Sequence, residues 1–231
     1  MNVKRMISRR AVFQATGVAA AGLAATGCVS GQKGSGKKKG KINFDNAYFY
    51  DAEGKFKSEA AKDALIALMQ YHGYPVFPDI REKLWVCDYG AGQYVKMGLG
   101  AVIFVNNEKD RYMMLDIYLL PNQMLPEHYH LPTDKNPAKM EGWLVRHGLS
   151  YVYGPGEPAP NIKAVIPKCH MNGAATAMHE VILKPGQFTP LTKVEAPHWQ
   201  FAGPEGAIIT EVANVHDNAG VRHTDKNLIF E

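Results

Sequence analysis

Short β-type segments separated by turn residues dominate the chain from residue 84 onward, and they restrict the fold more than any other feature. The segments are rich in Val, Ile, Tyr and Phe, and the breaks between them contain Gly, Pro and Asn. No helical segments alternate with them, so a parallel α/β sheet is disfavoured and an all-β sandwich or barrel is predicted. The predicted strands are Leu84–Tyr89, Leu99–Val105, Arg111–Leu120, Trp143–Tyr153, Ile162–Ile166, Ala177–Leu183 and Ala207–Val212.

One helix is predicted ahead of these strands, over Ser58–Tyr71. Apolar residues recur there at helical spacing, with Ser58 suited to the N-cap and Gly73 suited to the C-terminal stop. Pro75 and Pro78 prevent the helix from continuing. No internal repeat and no second domain boundary are visible, so residues 44–231 are predicted to form one domain.

The first 41 residues differ in charge from the rest of the chain. They hold nine Lys or Arg and no acidic residue, which leaves 17 basic and 22 acidic residues beyond them. The formal net charge of +4 therefore hides an acidic folded part. An acidic surface argues against a nucleic-acid partner.

Residues 1–27 are organised like an export signal. A positive region is followed by an Ala/Gly-rich run that is too short for a membrane-spanning helix, and SRRAVF at 8–13 resembles the twin-arginine signal. ATGC at 25–28 resembles a lipoprotein cleavage box with Cys28 as the acylated residue, although Ala25 replaces the usual Leu. An ordinary signal peptide that contains a Cys is the alternative. We therefore predict an exported protein, periplasmic or membrane-anchored through its leader or a lipid, with 28–43 as a flexible basic linker.

Cys87 and Cys169 are the cysteines beyond the leader. Two cysteines in an exported protein could pair, but no spacing favours a disulfide here. We interpret them as unpaired, buried small side chains.

A histidine-rich constellation is the main chemical signal. His128 and His130 are two residues apart, so on an extended strand both imidazoles point to one face. Glu141 follows eleven residues later, and His198 comes much later in the chain. A lone His-x-His is weak evidence, but three imidazoles and one carboxylate in this order suit divalent Mn, Fe, Co, Ni or Zn with open positions for a substrate.

The order of these residues resembles the two motifs of the cupin superfamily. Gly148 matches the end of the first motif, and LKPG at 183–186 matches the start of the second. The gap from His130 to Glu141 is longer than the usual cupin spacing, so a loop must return Glu141 to the site. The resemblance implies an all-β cupin fold, a double-stranded β-helix or jelly-roll barrel, with one or more N-terminal helices.

Within the cupins, the chain from about Tyr71 to Phe230 resembles the bacterial D-lyxose isomerase family. The matching motifs are DYGAG at 88–92, KME at 139–141, PHW at 197–199 and GPEG at 203–206, of which KME after a long gap is the most specific. The export leader departs from the family pattern. The resemblance implies manganese, with cobalt, iron or zinc as other candidates, bound by His128, His130, Glu141 and His198. It also implies that Lys139 and Glu211 act on the sugar.

Aldose–ketose isomerisation requires a proton to move between adjacent carbons. The resemblance assigns that transfer to Glu211, with Lys139 hydrogen-bonding the carbonyl oxygen or shuttling its proton. A metal can stabilise the enediolate that develops. Trp143, Trp199 and Glu127 are candidates for sugar binding, with a place in the barrel core as an equal alternative for Trp143.

Two other functions stay open on sequence alone. One is a different cupin enzyme, such as an iron-dependent dioxygenase, because three His and one Glu also serve that chemistry. The other is a non-enzymatic, membrane-tethered carbohydrate-binding protein. Lys139 and Glu211 favour an enzyme, since a binding module has no need of a proton-transfer pair. Assembly into a homodimer is left open.

Overall fold

The computed structural model describes residues 40–230, which form a curled antiparallel sheet preceded by two helices. The helices are α1 (Ser58–His72) and α2 (Ile80–Lys83), with 3₁₀ turns at Asn46–Phe49 and Asn218–Gly220. Within the described residues the strands are β1 (Trp85–Cys87), β2 (Leu99–Asn107), β3 (Tyr112–Leu119), β4 (Met124–His130), β5 (Glu141–Gly154), β6 (His179–Leu183), β7 (Phe188–Pro190), β8 (His198–Ala213) and β9 (Val221–His223). The predicted all-β class is confirmed.

The long strand β8 organises the sheet. The strand path runs β1-β2-β3-β8-β4-β9, and β5 pairs with β6, β7 and β8. The first part of β8 pairs with β4, its last part pairs with β3, and β5 follows both parts. All these pairings are antiparallel, and register shifts interrupt several of them, which increases the local twist. The sheet therefore curls into the half-barrel of a double-stranded β-helix.

Apolar side chains fill both faces of the sheet near its centre. Inside the half-barrel, Leu115, Ile117 and Ile209 belong to one buried cluster. On the outer face, α1 packs Leu65 and other apolar side chains against β3 and β8. Gly100 allows this close approach, because a Cβ at that position would overlap the Leu65 side chain. Each fully buried aliphatic side chain contributes about 1.5–3 kcal/mol.

The helix prediction is confirmed in position and wrong in one detail. α1 begins at Ser58, but the N-cap position is Lys57 and no side chain caps the helix there. At the other end, Gly73 adopts a left-handed conformation with φ 69°, as a helix stop requires.

The predicted strand Ile162–Ile166 is wrong. The segment lies in the loop between β5 and β6 and is not assigned to any strand. The backbone N–H groups of Lys163 and Ala164 donate to the side chains of Glu180 and Tyr153, at 2.7 and 3.0 Å. Side-chain acceptors therefore satisfy the polar backbone that a strand partner would otherwise satisfy.

Cys87 and Cys169 form no disulfide with each other; Cys87 is buried and Cys169 only partly so. The predicted leader at 1–27 and the candidate lipidation site Cys28 lie outside the described residues. In the described part of the chain, no helix has both the length and the apolar character needed to span a bilayer.

Candidate active site

Three histidines meet inside the curled sheet. His128 and His130 lie on β4 with one residue between them, and His198 opens β8 directly opposite His128 in the strand register. The His128 and His198 ring centroids are 4.4 Å apart. One nitrogen from each of the three rings lies within 4.8 Å of the others, a spacing that one metal ion can bridge. The structure thus brings together all three histidines singled out from the sequence.

Backbone carbonyls set the orientation of two of these rings. Nδ1 of His128 lies 2.9 Å from the Pro126 carbonyl oxygen, and Nδ1 of His198 lies 2.9 Å from the Ala196 carbonyl oxygen. A carbonyl can only accept, so each Nδ1 carries the proton and donates. Nε2 of each ring is left as a lone pair facing the cluster, which is the arrangement that orients metal-binding imidazoles.

Burial keeps two of the imidazoles neutral. It lowers the pKa of His128 and His130 well below the usual range, and the neighbouring histidines act on His128 in the same direction. For His198, burial also works to lower the pKa, but the adjacent Glu141 carboxylate outweighs it and the pKa is raised. Neutral imidazole is the form that binds a metal.

Glu141 joins the histidine cluster as the first residue of β5. Its Oε1 lies 3.0 Å from Nε2 of His198 and 3.3 Å from Nε2 of His130. The loop that returns it is anchored by Asp217, which accepts from the Thr133 hydroxyl at 2.7 Å. The returning loop required by the long gap in the sequence is therefore present.

The cluster contains buried polar atoms that the protein itself leaves without hydrogen bonds. They are both ring nitrogens of His130, Nε2 of His198 and Oε1 of Glu141, whereas Oε2 of Glu141 is paired with the Lys139 ammonium. Leaving such atoms unpaired costs about 1–3 kcal/mol each, so a concentration of them calls for a bound group. Most are lone pairs directed at one another, and a divalent cation would satisfy them. The donor set of three imidazoles and one carboxylate therefore fits a divalent metal.

A buried ion-pair network lies beside the histidines. The Lys139 ammonium lies 2.9 Å from Oε2 of Glu141, and it also contacts Oε1 of Glu211. The indole N–H of Trp143 donates to the other oxygen of Glu211 at 3.1 Å. Lys139 and Glu211 are each only 5% exposed. The structure thus brings together the two residues assigned to proton transfer and places them next to Glu141.

The surroundings of Glu211 suit a carboxyl group that exchanges protons. Burial raises the pKa of Glu211 to about 7, with the Lys139 charge opposing and the Glu141 charge reinforcing the shift. Burial also acts to lower the pKa of Lys139, but the two carboxylates outweigh it and the ammonium form is favoured. An acid–base group works best when its pKa lies near the operating pH.

The three residues expected to bind sugar have other roles in the structure. Trp143 is buried and its indole N–H is engaged by Glu211. Trp199 stacks on Tyr153 at a centroid distance of 3.7 Å, and its N–H donates to the Ala177 carbonyl. Trp199 follows His198 on β8, and Glu127 precedes His128 on β4. Adjacent residues of a strand point to opposite faces, so these two side chains point away from the histidine cluster.

Glu127 is fully buried, and its carboxylate binds the loop before β6. It accepts from the backbone N–H groups of Thr176 and Ala177 and from the Thr176 hydroxyl, at 2.7–2.8 Å. Strand alternation directs Glu127 and Trp199 to the face opposite the histidines, and sugar binding by these two residues stays a prediction.

The cavity has walls that the sequence did not reveal. A cavity of about 50 Å³ adjoins the histidines and the Lys139–Glu211 pair. His216 and His223 line it, and so do the aromatic residues Trp85, Tyr89 and Phe230. His216 follows β8 and His223 lies on β9, a three-residue strand with no alternation long enough to read. The sequence showed only that His216 and His223 lie near the C-terminus, which does not predict where their side chains point.

Comparison with known proteins identifies the relatives of this chain. No family model matches it. It is 37% identical over 157 residues to a D-lyxose ketol-isomerase of Cohnella laeviribosi, a match that covers 67% of this chain and 82% of that protein. It is 34% identical over 171 residues to a D-lyxose/D-mannose isomerase of Thermosediminibacter oceani, covering 74% and 87% of the two chains.

A solved structure of Cellulomonas parahominis L-ribose isomerase with L-psicose shares the fold. The TM-score is 0.54 at 13% identity, and the match covers 78% of this chain and 95% of that one. Identity this low supports the architecture alone. The identity to the curated relatives, by contrast, extends over most of their length. The chain belongs to the D-lyxose ketol-isomerase family.

Proposed function

We propose that this protein is a metal-dependent aldose–ketose isomerase that acts on D-lyxose, D-mannose or a sugar of similar structure. The observation that carries the proposal is the buried Lys139–Glu211 pair directly beside the histidine cluster. Burying two ionised groups costs free energy. Their presence beside the histidine cluster therefore indicates a role in function. The names of the curated relatives support the same reaction and the same sugars.

One divalent cation would be held by His128, His130, His198 and Glu141, with Mn²⁺ as our preferred identity. The convergence of the three imidazoles, with the Glu141 carboxylate beside two of them, supports this ligand set. A cation bound there supplies Lewis-acid polarisation of the substrate oxygens and stabilises developing negative charge. The chain itself orients the ligands through the carbonyls behind His128 and His198.

The proton transfers fall to the ion-pair network. Glu211 takes the proton from C2 of the aldose and returns it to C1, so the C2–H bond breaks and a C1–H bond forms. Lys139 donates a hydrogen bond to the carbonyl oxygen O1, passes a proton to it, and regains a proton from the O2 hydroxyl, which restores its ammonium form. The product is the ketose, with no net gain or loss of atoms or electrons. The Trp143 indole holds the Glu211 carboxylate in place.

The test is an isomerase assay on the purified protein after loading with Mn²⁺, over a panel of pentoses and hexoses. We expect ketose formation that disappears on chelation and in Glu211→Gln, while the matched variant Glu108→Gln, on an exposed hairpin residue, stays active. Oxygen uptake by the iron-loaded protein without any ketose would replace the isomerase proposal with a dioxygenase. Sugar binding without turnover would replace it with a binding protein.

We also propose that the protein is exported and anchored through Cys28. The twin-arginine-like and lipoprotein-like motifs of the first 28 residues support this. Metabolic labelling with a radioactive fatty acid should mark the full chain and fail to mark Cys28→Ser. Equal labelling of both would exclude Cys28 as the site of lipid attachment. A homodimer remains a prediction, to be tested by sedimentation equilibrium.

A further inference from the structure

An aromatic wall, made of Trp85, Tyr89 and Phe230, lines the same cavity as the proton-transfer pair. The Phe230 ring meets Trp85 edge-on, with ring centroids 5.3 Å apart. It stacks on Tyr89 at 6.1 Å, with 18° between the ring planes. The isomerisation chemistry described above uses none of these three side chains, so their role must lie elsewhere.

Phe230 lies where the two ends of the strand path approach each other. The path begins at β1, which carries Trp85, and ends at β9, which carries His223. The Phe230 ring lies 5.3 Å from the Trp85 ring and 5.5 Å from the His223 ring. The Phe230 side chain thus spans the seam of the half-barrel beside the cavity.

Backbone hydrogen bonds hold this C-terminal segment in place. The N–H of Ile229 donates to the Tyr89 carbonyl at 3.0 Å, and the N–H of Leu228 donates to the Asp225 carbonyl at 3.4 Å. Tyr89 has φ 57°, a conformation that bulky residues rarely adopt. Such strain persists only where the surroundings enforce it, and it concentrates at functional sites. The backbone therefore holds the aromatic wall in a fixed position at the cavity.

The strands divide the cavity by chemistry. Strands β1 to β3 contribute only apolar or aromatic groups, whereas the polar groups come from β4, β8, β9 and the loop before β5, together with the apolar Leu125 and Val221. The apolar set is Trp85, Leu99, Ala101, Leu115 and Ile117, and the polar set includes His128, His130, Lys139, Glu211 and His223. A sugar whose reacting end meets the polar side extends its remaining carbons toward the apolar side. The Phe230 ring has no hydrogen-bonding group, so it can discriminate between sugars only by size and shape.

We infer that Phe230 is a specificity-determining residue that limits the length of the sugar at the end away from the reacting carbons. The inference rests on the proposed function and deepens it, since it names a single free monosaccharide, with five carbons favoured over six, as the substrate class. An additional carbon must find space against a ring held by Trp85, Tyr89 and His223. Discrimination of one carbon in a well-packed pocket typically reaches about 10–200-fold.

The test compares D-lyxose with D-mannose, which share the configuration at C2 to C4 and differ by one hydroxymethyl carbon. We expect Phe230→Ala to lower the ratio of kcat/KM for D-lyxose over D-mannose by about 10-fold or more. Phe230→Tyr should retain the wild-type ratio, and Phe230→Leu should give an intermediate one. The matched control Phe104→Ala, at a partly exposed position on β2, should leave the ratio unchanged.

A binding measurement separates this inference from the proposed function. The two alditols obtained by reducing these sugars are titrated calorimetrically into wild type and Phe230→Ala, a readout that needs no turnover. If wild type converts the sugars and neither ratio changes in Phe230→Ala or Phe230→Leu, the inference is overturned and the isomerase stands. If no sugar is converted but the ratio of alditol affinities shifts by about 10-fold, the inference stands and the isomerase fails. Unchanged ratios without conversion overturn both.

Discussion

Replacing Lys139 by Met should expose how strongly the buried charges depend on one another. The ammonium group lies 2.9 Å from the Glu141 carboxylate and also contacts Glu211, with all three side chains almost fully buried. Without Lys139, two carboxylates remain in the interior with no cation between them. Breaking a buried ion pair costs about 3–5 kcal/mol. For a chain of this size that corresponds to a fall in Tm of about 6–20 °C.

The assay is thermal and urea unfolding in the presence of a chelator, so that no metal neutralises Glu141. Lys135→Met, on an exposed lysine of the same loop, is the matched control and should change stability by less than about 0.5 kcal/mol. Adding Glu211→Gln to Lys139→Met removes one stranded charge, so the double variant should be more stable than the sum of the single changes predicts by about 1 kcal/mol or more. Additivity within about 0.5 kcal/mol would refute the coupled network.

Three further outcomes follow from the same structure. Gly148→Ala should lower the free energy of unfolding by about 2 kcal/mol or more, because its φ is 74° and a Cβ would overlap the Gly206 carbonyl. Gly186→Ala is the control: its φ is 84° but it faces open space, so it should cost only about 1–2 kcal/mol. Equal costs would contradict the steric argument. Asp217→Ala should weaken metal binding measured by calorimetry, since Asp217 holds the loop leading to Glu141. Hydrogen bonds lower the pKa of Asp217, so its stabilisation is present at neutral pH and lost on acidification; a variant as destabilised at pH 3 as at pH 7 would refute this. Mn²⁺ at 100 times its Kd should stabilise the metal-free protein by about 2.7 kcal/mol. An unchanged Tm would count against the metal site.

The sequence predicted the elements whose patterns are long and local. α1 was found to within one residue because its apolar spacing repeats over four turns. The cluster of His128, His130 and His198 was found because two of its members share one strand face and motif order indicated the third. Membership of the family then connected Lys139 and Glu211, which are 72 residues apart and which no local pattern links.

The failures arise where tertiary contacts override local signals. Ile162–Ile166 has strand composition, but its N–H groups are satisfied by side chains of Tyr153 and Glu180 instead of by a strand. Sugar binding by Trp199 and Glu127 was predicted from their sequence neighbours and stays a prediction, although alternation along a strand directs neighbours to opposite faces. Phe230 carries no periodic signal, and only the folded chain brings it beside Trp85.

The central claim is that Glu211, beside a bound divalent cation, moves the proton that converts aldose to ketose. The most direct measurement is the kcat of Mn²⁺-loaded wild type and Glu211→Gln on D-lyxose, together with the metal content of both proteins. We predict one metal ion per chain in each protein and a kcat about 10²–10⁴-fold lower in the variant, the range typical of losing a general acid–base group. Equal metal content with a kcat within about threefold of wild type would contradict the account.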